Sequence, residues 1–421
     1  MPRVRLDSGM PIEFQQRVLP NGLTVIAEID PTAVSVSAGF FVKTGARDED
    51  PAVMGVSHFL EHMMFKGTES ISAEQLNRAF DEIGAKNNAY TSSEMTCFYA
   101  SSLPEHASRS IELLARMMRP ALRQSDFDTE KSVIFEEIAM YKDNPFWVLF
   151  EAVTDRHYAP HPLGHRVLGT AETIKDLTSE QMRDYFGQRY SADNTTVALA
   201  GRIDFNQACD HIAALCAGWN PTKPVGRLAP VPRYGQAPVE VRLTDAKVAR
   251  GYLLGMAPAP SADDDRRYAA AMLAQILGAP DNSRLHWALV ESGLAEDAQA
   301  GFDAHDGAGD YYVFAAGEPG RIPEIQSVIQ REIANLASSL VEDDLDRLRN
   351  KVLTAATVGG ERPGDRMQRI GRTWTALGRY ESLDQEVDRI GRVTLQELRS
   401  VAEQLPLAPA TIGILTADKA E

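Results

Sequence analysis

Apolar segments of two kinds alternate through the first half of the chain, and they predict strands interspersed with helices. Runs rich in β-branched or alternating apolar residues predict strands at 23–28, 35–42, 89–91, 96–101 and 195–200. Helical spacing of apolar positions predicts helices over much of 73–83, 105–118, 126–141 and 179–190. Gly84 follows the first of these helices and is placed to end it. The pattern as a whole predicts an α+β fold.

A proline-rich stretch divides the chain. Residues 221–238 contain five prolines and show little periodicity, which is typical of an interdomain linker. After this stretch, the order strand, strand, acidic turn, helix of the first half begins again. The repeated elements are predicted at 239–243, 250–256, 263–265 and 268–278. We therefore expect two domains, 1–220 and 239–421, that arose by duplication.

A five-residue stretch within the first half carries chemistry typical of a metal site. His58, Glu61 and His62 stand at positions i, i+3 and i+4, which share one face of a helix. Zn²⁺ takes imidazole and carboxylate ligands, and a catalytic zinc site keeps one position open for water. We expect His58 and His62 to bind one metal ion and Glu61 to take a proton from that water. A lone histidine on an apolar helix face is more often an ordinary core residue.

The third protein ligand is predicted in the helix at 126–141. Glu130 and Glu137 are seven residues apart and therefore project from nearly the same face, whereas Glu136 is turned about 100° away. We expect Glu137 to be the ligand and Glu130 to hold a metal-bound histidine in the right tautomer. The alternative is that these glutamates form an ordinary solvated helix face.

These residues resemble the pitrilysin/insulinase family of zinc peptidases, and in particular the short-chain branch that includes mitochondrial processing peptidase and its bacterial relatives. The resemblance is dense up to about residue 205. It rests on these matches: His58-Phe59-Leu60-Glu61-His62 with Phe65-Lys66-Gly67-Thr68, the Glu130/Glu137 pair, Asn88-Ala89-Tyr90-Thr91, His161-Pro162-Leu163-Gly164 with Leu168-Gly169, and Tyr190 with Asn194. It implies two homologous α/β-sandwich domains, each a mostly antiparallel sheet covered by helices, that form half of a clamshell-type chamber.

The resemblance implies a zinc-dependent metalloendopeptidase that hydrolyses peptides or unfolded polypeptide segments. The resemblance also implies that one Zn²⁺ per chain binds to the predicted ligands and that Glu61 is the catalytic base. It further implies that the C-terminal domain is inactive. Asn88, Ala89 and Tyr90 match the strand edge that pairs with substrate backbone, although Asn88 is also a residue type that caps turns. A chamber of four such domains implies a homodimer, or a heterodimer with a related subunit.

The second domain departs from the family pattern. The family usually carries an arginine and a tyrosine that hold the substrate and steady the oxyanion. Glu296 stands where the tyrosine is expected, Val290 stands near the position of the arginine, and the segment is one residue short. Loss of one oxyanion donor costs about 10²–10³ in rate in other enzymes. Arg284, Tyr311 or Tyr312 are alternatives for this role. The departure leaves two further hypotheses, a catalytic subunit that is inert without a partner chain, and a non-catalytic structural subunit.

Composition and charge limit the binding partners and the cellular compartment that we expect for this chain. The formal net charge of −16 argues against nucleic acid or anionic membrane as a partner. Three cysteines without metal-type spacing suit a reducing compartment. We see neither a signal-peptide apolar region nor a run of about 18 apolar residues, and therefore expect a cytoplasmic protein without a membrane span. His157, His161 and His165 form either a solvated loop or a second metal site.

Overall fold

The computed structural model describes residues 12–230, 232 and 237–417. The strands are β1 (Glu13–Val18), β2 (Thr24–Ile29), β3 (Val36–Val42), β4 (Lys86–Thr91), β5 (Thr96–Ser102), β6 (Thr195–Gly201), β7 (Val239–Thr244), β8 (Gly251–Pro258), β9 (Asp297–His305), β10 (Ala308–Gly317) and β11 (Thr411–Thr416).

Helices occupy much of the chain between these strands. They are α1 (Val56–Met64), α2 (Ala73–Glu82), α3 (Ala107–Met117), α4 (Gln124–Lys142), α5 (Pro145–Tyr158), α6 (Ala171–Asp176), α7 (Ser179–Arg189), α8 (Phe205–Leu215), α9 (Arg267–Gly278), α10 (Ile322–Ser339), α11 (Glu342–Gly359), α12 (Pro363–Leu377), α13 (Leu383–Arg392) and α14 (Leu395–Gln404). No helix in the described part of the chain combines the length and apolarity needed to cross a bilayer.

The chain forms two compact units that are discontinuous in sequence. The first runs from the first described residue to Ile134 and adds Val167–Gly226 and Val358–Glu381. The second contains Phe135–Arg166, the described part of Arg227–Thr357, and the described residues from Ser382 onward. Helix α5 thus belongs to the second unit and α12 to the first. The division into 1–220, 221–238 and 239–421 follows the sequence repeat rather than these packing units and stays a prediction.

The first unit is built on a six-stranded sheet in the order β1-β2-β6-β3-β5-β4. Strands β2 and β6 are parallel, and the other neighbours are antiparallel. Helix α12 covers one face, where Met367 and Ile370 pack against Phe41 and Cys97. Helices α1, α3 and α8 also contact the strands. The strand at the end of this order, β4, presents the edge nearest to helix α1.

The second unit repeats this plan with five strands in the order β7-β11-β8-β10-β9. Again one neighbouring pair, β7 and β11, is parallel, and the other pairs are antiparallel. Helix α5 packs on one face through Leu149 and Val153, and residues of α9, α10 and α14 lie in another apolar core of this unit. The five strands match β2, β6, β3, β5 and β4 of the first sheet in order and direction. This shared topology confirms the predicted two-domain α+β fold and supports a duplication.

Candidate metal centre

Helix α1 carries the predicted metal motif. His58 is buried, whereas Glu61 and His62 are partly exposed, and the imidazole centroids of the two histidines are 4.7 Å apart. Other residues of this nine-residue helix, among them Phe59 and Met63, are buried, so that packing holds the motif in its orientation. Burial, and secondarily the nearby His62, lower the pKa of His58 from 6.5 to about 3. At neutral pH His58 is therefore the neutral imidazole that metals bind.

Two glycines fix the backbone at the start of α1. Gly55 has φ +96°, and a Cβ there would lie 2.6 Å from the carbonyl oxygen of Leu168. Gly169 has φ +71°, and a Cβ there would lie 2.3 Å from the carbonyl oxygen of Met54. Both positions therefore need glycine, because backbone lies against backbone. Leu168 and Gly169 contributed to the sequence resemblance without an assigned role, and the structure shows that they pack against the start of the motif helix.

The buried carboxyl group of Glu49 caps the same end of α1. Glu49 accepts hydrogen bonds from the backbone N–H groups of Gly55 and Ser57, at 2.7 and 2.8 Å. The first N–H groups of a helix have no partner within it, and Glu49 supplies one. The Ser57 hydroxyl lies 2.7 Å from the Tyr185 hydroxyl. Burial raises the pKa of Glu49 from 4.5 to about 8, against the opposing effect of the two backbone donors. Sequence reasoning missed this residue, although an acidic residue shortly before a helix was an available signal.

Helix α4 brings a buried glutamate, Glu130, to the motif. Glu130 is 4% exposed, and its Oε1 lies 2.9 Å from Nδ1 of His62. Its other oxygen pairs with the ammonium group of Lys66. A carboxylate at Nδ1 keeps the ring proton there and leaves the lone pair on Nε2, so His62 is oriented to bind a metal through Nε2. The sequence predicted a histidine partner for Glu130, and the structure places Glu130 beside His62.

Glu137 follows Glu130 by two turns of the continuous helix α4. One ligand-type atom from each of His58, His62 and Glu137 lies within 4.8 Å of the others. Among the described residues, this is the one group of three or more His, Cys, Asp or Glu side chains with such spacing. Two imidazole nitrogens and a carboxylate oxygen are a donor set of catalytic zinc sites, so these residues fit Zn²⁺. Glu136 is exposed, as the solvated-face alternative predicts for that residue.

The predicted base and the predicted substrate edge meet at strand β4. Thr91, the last residue of β4, donates a hydrogen bond to Glu61. Asn88, Ala89 and Tyr90 lie inside the strand, so the alternative that Asn88 caps a turn is wrong. Its side-chain oxygen instead accepts from the backbone N–H of Ala89 at 2.9 Å. Because β4 stands at the end of the sheet order, the strand presents an edge to which an extended peptide can add.

Known proteins share both the sequence pattern and the fold. Residues 24–171 match the family insulinase (peptidase family M16), and residues 176–352 match the peptidase M16 inactive domain. A Streptomyces coelicolor protein named as an uncharacterized zinc protease is 30% identical over 398 residues, which are 93% of this chain and 87% of its own length. The chain belongs to peptidase family M16. This membership confirms the resemblance found in the sequence.

Solved structures agree with the M16 fold. A crystal structure of a protease from Helicobacter pylori matches with a TM-score of 0.89 and 20% identity, covering 96% of this chain and 100% of that one. A chain of complex III2 from Candida albicans matches with a TM-score of 0.81 and 17% identity, covering 96% of each chain. At these identities, the matches establish the two-domain fold and nothing further about chemistry.

Val290 and Glu296, the positions at which the sequence analysis expects a departure from the family pattern, both lie in the second unit. Val290 packs against the apolar core of that unit. Glu296 is exposed and pairs with Arg250, with Nε and Oε2 2.9 Å apart. Val290 is therefore part of the packing of the second unit, and Glu296 is part of a surface ion pair.

Arg284, Tyr311 and Tyr312, the alternatives for contacting substrate, differ in how far each is exposed to solvent. Arg284 donates to Ser339 and to Asp344, at 2.6 and 2.9 Å, and so holds together parts of the second unit. Tyr311 has no exposed surface. Tyr312 and Arg284 are both partly buried and keep some solvent-facing surface. Of the three, only Tyr311 is closed off from solvent.

His157, His161 and His165 do not form a metal-binding group, and His157 lies in helix α5 rather than in the predicted loop. His157 is buried, and its Nδ1 lies 3.2 Å from the Thr411 hydroxyl. His161 accepts a hydrogen bond at Nδ1 from the backbone N–H of Leu163, at 3.1 Å. In the described part of the chain, these residues do not belong to any group spaced to hold a metal. The described structure therefore lends no support to a second metal site formed by His157, His161 and His165.

Proposed function

We propose that this chain is a zinc-dependent metalloendopeptidase that hydrolyses peptides or unfolded polypeptide segments. The convergence of His58, His62 and Glu137, with Glu61 on the same helix, is the observation that carries the proposal. These three residues would hold one Zn²⁺ per chain. The naming of M16 relatives as zinc proteases agrees with this choice of metal.

The roles of the side chains follow from their contacts. A bound Zn²⁺ would supply Lewis acidity to water and to the scissile carbonyl. Glu61 would accept a proton from the attacking water and return it to the leaving amine. Thr91 would hold the Glu61 carboxylate, and Glu130 would keep His62 in its metal-binding tautomer.

Substrate would add to the sheet of the first unit. An extended peptide can pair with the edge of β4, where Asn88, Ala89 and Tyr90 lie. Main-chain pairing of this kind reads backbone more than side chains, and it requires a segment that is free to extend. Peptides and unfolded segments meet that requirement, whereas most folded proteins do not.

A specific observation favours a second candidate, a catalytic subunit that needs a partner. Glu296 is paired with Arg250, and Arg284 with Asp344, so neither is disposed to bind substrate. A related subunit carrying the arginine and tyrosine would supply what this chain lacks, as a heterodimer. The similarity to a chain of complex III2, an assembly, is compatible with such pairing. A homodimer is the corresponding proposal if the chain is self-sufficient.

The compartment belongs to the proposal as well. Cys97, Cys209 and Cys216 are free and buried. Free thiols of this kind suit a reducing environment, and we propose the cytoplasm.

The test is hydrolysis of a quenched fluorescent peptide library by the zinc-loaded chain alone, with and without a chelator. Glu61→Gln serves as the matched variant, since the amide keeps the size of the side chain but cannot accept the proton. We expect chelator-sensitive cleavage that zinc restores, and no turnover from a Glu61→Gln protein that still binds zinc. Turnover by Glu61→Gln at the wild-type rate would contradict the mechanism. A zinc-loaded wild-type chain without activity would favour the partner-dependent candidate.

A further inference from the structure

Helix α12 carries three arginines at intervals of three residues, and two of them share one buried carboxylate. Arg366 and Arg369 both pair with Glu28, whose side chain is 1% exposed. Tyr380 donates a further hydrogen bond to Glu28 at 2.9 Å. These two arginines thus fasten α12 to strand β2 of the same unit.

The third arginine, Arg372, has a different environment. It is exposed, its Nε donates to the Tyr90 hydroxyl at 2.9 Å, and its guanidinium carbon lies 4.9 Å from the centroid of the Tyr90 ring. The Tyr90 hydroxyl in turn donates to Gln368 at 3.0 Å. Within the described part of the chain, Arg372 has no carboxylate partner, and its two terminal nitrogens make no hydrogen bond. Tyr90 therefore restricts the position of the Arg372 guanidinium, which faces solvent. None of the described residues places a carboxylate against its charge.

This cation stands beside the edge of β4. Side chains alternate between the two faces of a strand, so Tyr90 and Thr91 point to opposite faces. Thr91 reaches Glu61 on one face, and Tyr90 reaches Arg372 on the face covered by α12. The predicted base and the uncompensated guanidinium thus lie on opposite faces of one strand edge, and all four residues belong to the first unit.

We propose that Arg372 is a specificity-determining residue that selects substrates with an acidic side chain on the α12 face of β4. The inference rests on the proposed function, because it assumes that a peptide adds to β4. Side chains of such a peptide alternate between the faces, and every second one passes the α12 side. A guanidinium presents paired N–H donors that match a carboxylate, and the contact with Tyr90 already restricts its orientation.

The expected preference for an acidic side chain applies to a single position of the substrate peptide. The formal net charge of −16 disfavours peptides that are acidic throughout. One Asp or Glu at a fixed distance from the cleaved bond would gain the contact with Arg372 without that general repulsion. For a solvent-exposed ion pair, we expect a preference of about fivefold over the neutral isostere.

The experiment scans Asp, Asn and Lys through each position of one cleavable peptide and measures kcat/KM with the full-length zinc-loaded chain. The variants are Arg372→Gln, which removes the charge, and Arg372→Glu, which reverses it. Arg78→Gln is the control, because Arg78 is an exposed arginine of helix α2 that pairs with Glu82 instead. Binding of the same peptides to a zinc-loaded Glu61→Gln chain, followed by fluorescence anisotropy, gives a readout that does not require turnover.

We expect one position at which the wild type and Arg78→Gln prefer Asp over Asn about fivefold. Arg372→Gln should lose this preference, and Arg372→Glu should favour Lys there. An Asp/Asn ratio unchanged by Arg372→Gln would overturn the inference, as would the absence of any such position. Asp-selective binding that depends on Arg372, in a chain that cleaves no peptide, would support the role of Arg372 and count against a peptidase that is active without a partner. Absence of both cleavage and binding would overturn both proposals.

Discussion

Oγ1 of Thr91 donates a hydrogen bond to Oε2 of Glu61 across 2.6 Å. This contact joins the last residue of strand β4 to the carboxylate expected to act as the base. Hydrogen bonds to a charged acceptor are shorter and stronger than neutral ones. The bond therefore restricts the carboxylate to one orientation and ties that orientation to the strand edge where substrate is proposed to bind.

Replacing Thr91 by Val keeps the shape of the side chain and removes the donor. Loss of a hydrogen bond to a charged group costs about 1.5–3 kcal/mol, so we expect kcat to fall about tenfold to a hundredfold with little change in KM. Steady-state kinetics and zinc content measure the effect. Thr91→Ser, which restores the hydroxyl, should recover most of the activity. A Thr91→Ser protein as slow as Thr91→Val would show that packing, and not the hydrogen bond, is what matters.

Glu130→Gln should weaken metal binding without abolishing it. The amide cannot hold the proton of His62 Nδ1 as a carboxylate does, and it loses the ion pair with Lys66. Loss of such a supporting residue typically costs about 10-fold to 100-fold in metal affinity. Competition with a chromophoric chelator measures the zinc dissociation constant. Glu136→Gln, at an exposed position of the same helix, is the control, and equal affinities of the two variants would contradict the assigned role of Glu130.

Gly55→Ala should destabilise the chain and lower its zinc content. The added Cβ meets the Leu168 carbonyl oxygen at 2.6 Å in a backbone with φ +96°. Gly84→Ala is a matched control, because Gly84 also has positive φ, +60°, but has open space around its Cβ. The control should lose only the left-handed strain of about 1–2 kcal/mol. Denaturant unfolding measures both variants, and equal losses of stability would argue against the close backbone contact.

Glu49 predicts a pH dependence of stability. Burial raises its pKa from 4.5 to about 8, so the folded chain binds this proton more tightly than the unfolded chain does. The stabilisation is complete below about pH 4.5 and is lost as the pH rises through about 8. Between pH 5.5 and 8.5, we therefore expect the Tm of the wild type to fall more than that of Glu49→Gln, which cannot ionise.

Thermal unfolding of both proteins across this pH range tests the expectation. Glu69→Gln, which alters an exposed carboxylate, should keep the wild-type slope. The role of Glu49 would be refuted if the wild type and Glu49→Gln lost Tm in parallel with rising pH.

Local sequence patterns were sufficient to predict many of the strands and helices in the first half of the chain. The predicted strands at 23–28 and 195–200 correspond to β2 and β6, and the predicted helix at 126–141 corresponds to α4. The spacing of His58 and His62, and of Glu130 and Glu137, was also informative by itself. In each case the residues involved are close in sequence, and helix or strand geometry relates them without any knowledge of the rest of the fold.

Several helices and strands could not be predicted, because the spacing of their apolar residues is not regular enough. Strand β1 and helix α5 were not predicted, nor were the elements from β9 onward. Helix α5 contributes Leu149 and Val153 to the core, while its neighbours Phe146, Trp147 and Phe150 contact one another around its first turn. A helix that is apolar on more than one side lacks the clear amphipathic period from which a helix is recognised.

The sequence by itself determined the M16 family, the α+β class and which side chains have metal-binding chemistry. Only the tertiary structure decided that Glu130 reaches His62, that Thr91 holds Glu61, that Glu49 caps α1, and that Arg372 stands at the β4 edge. The partners in these contacts come from different elements, up to 282 residues apart in the case of Arg372 and Tyr90. Such pairs are brought together by the packing of helices on a sheet whose strand order is set by contacts far apart in the chain, and periodicity along the sequence carries no record of them.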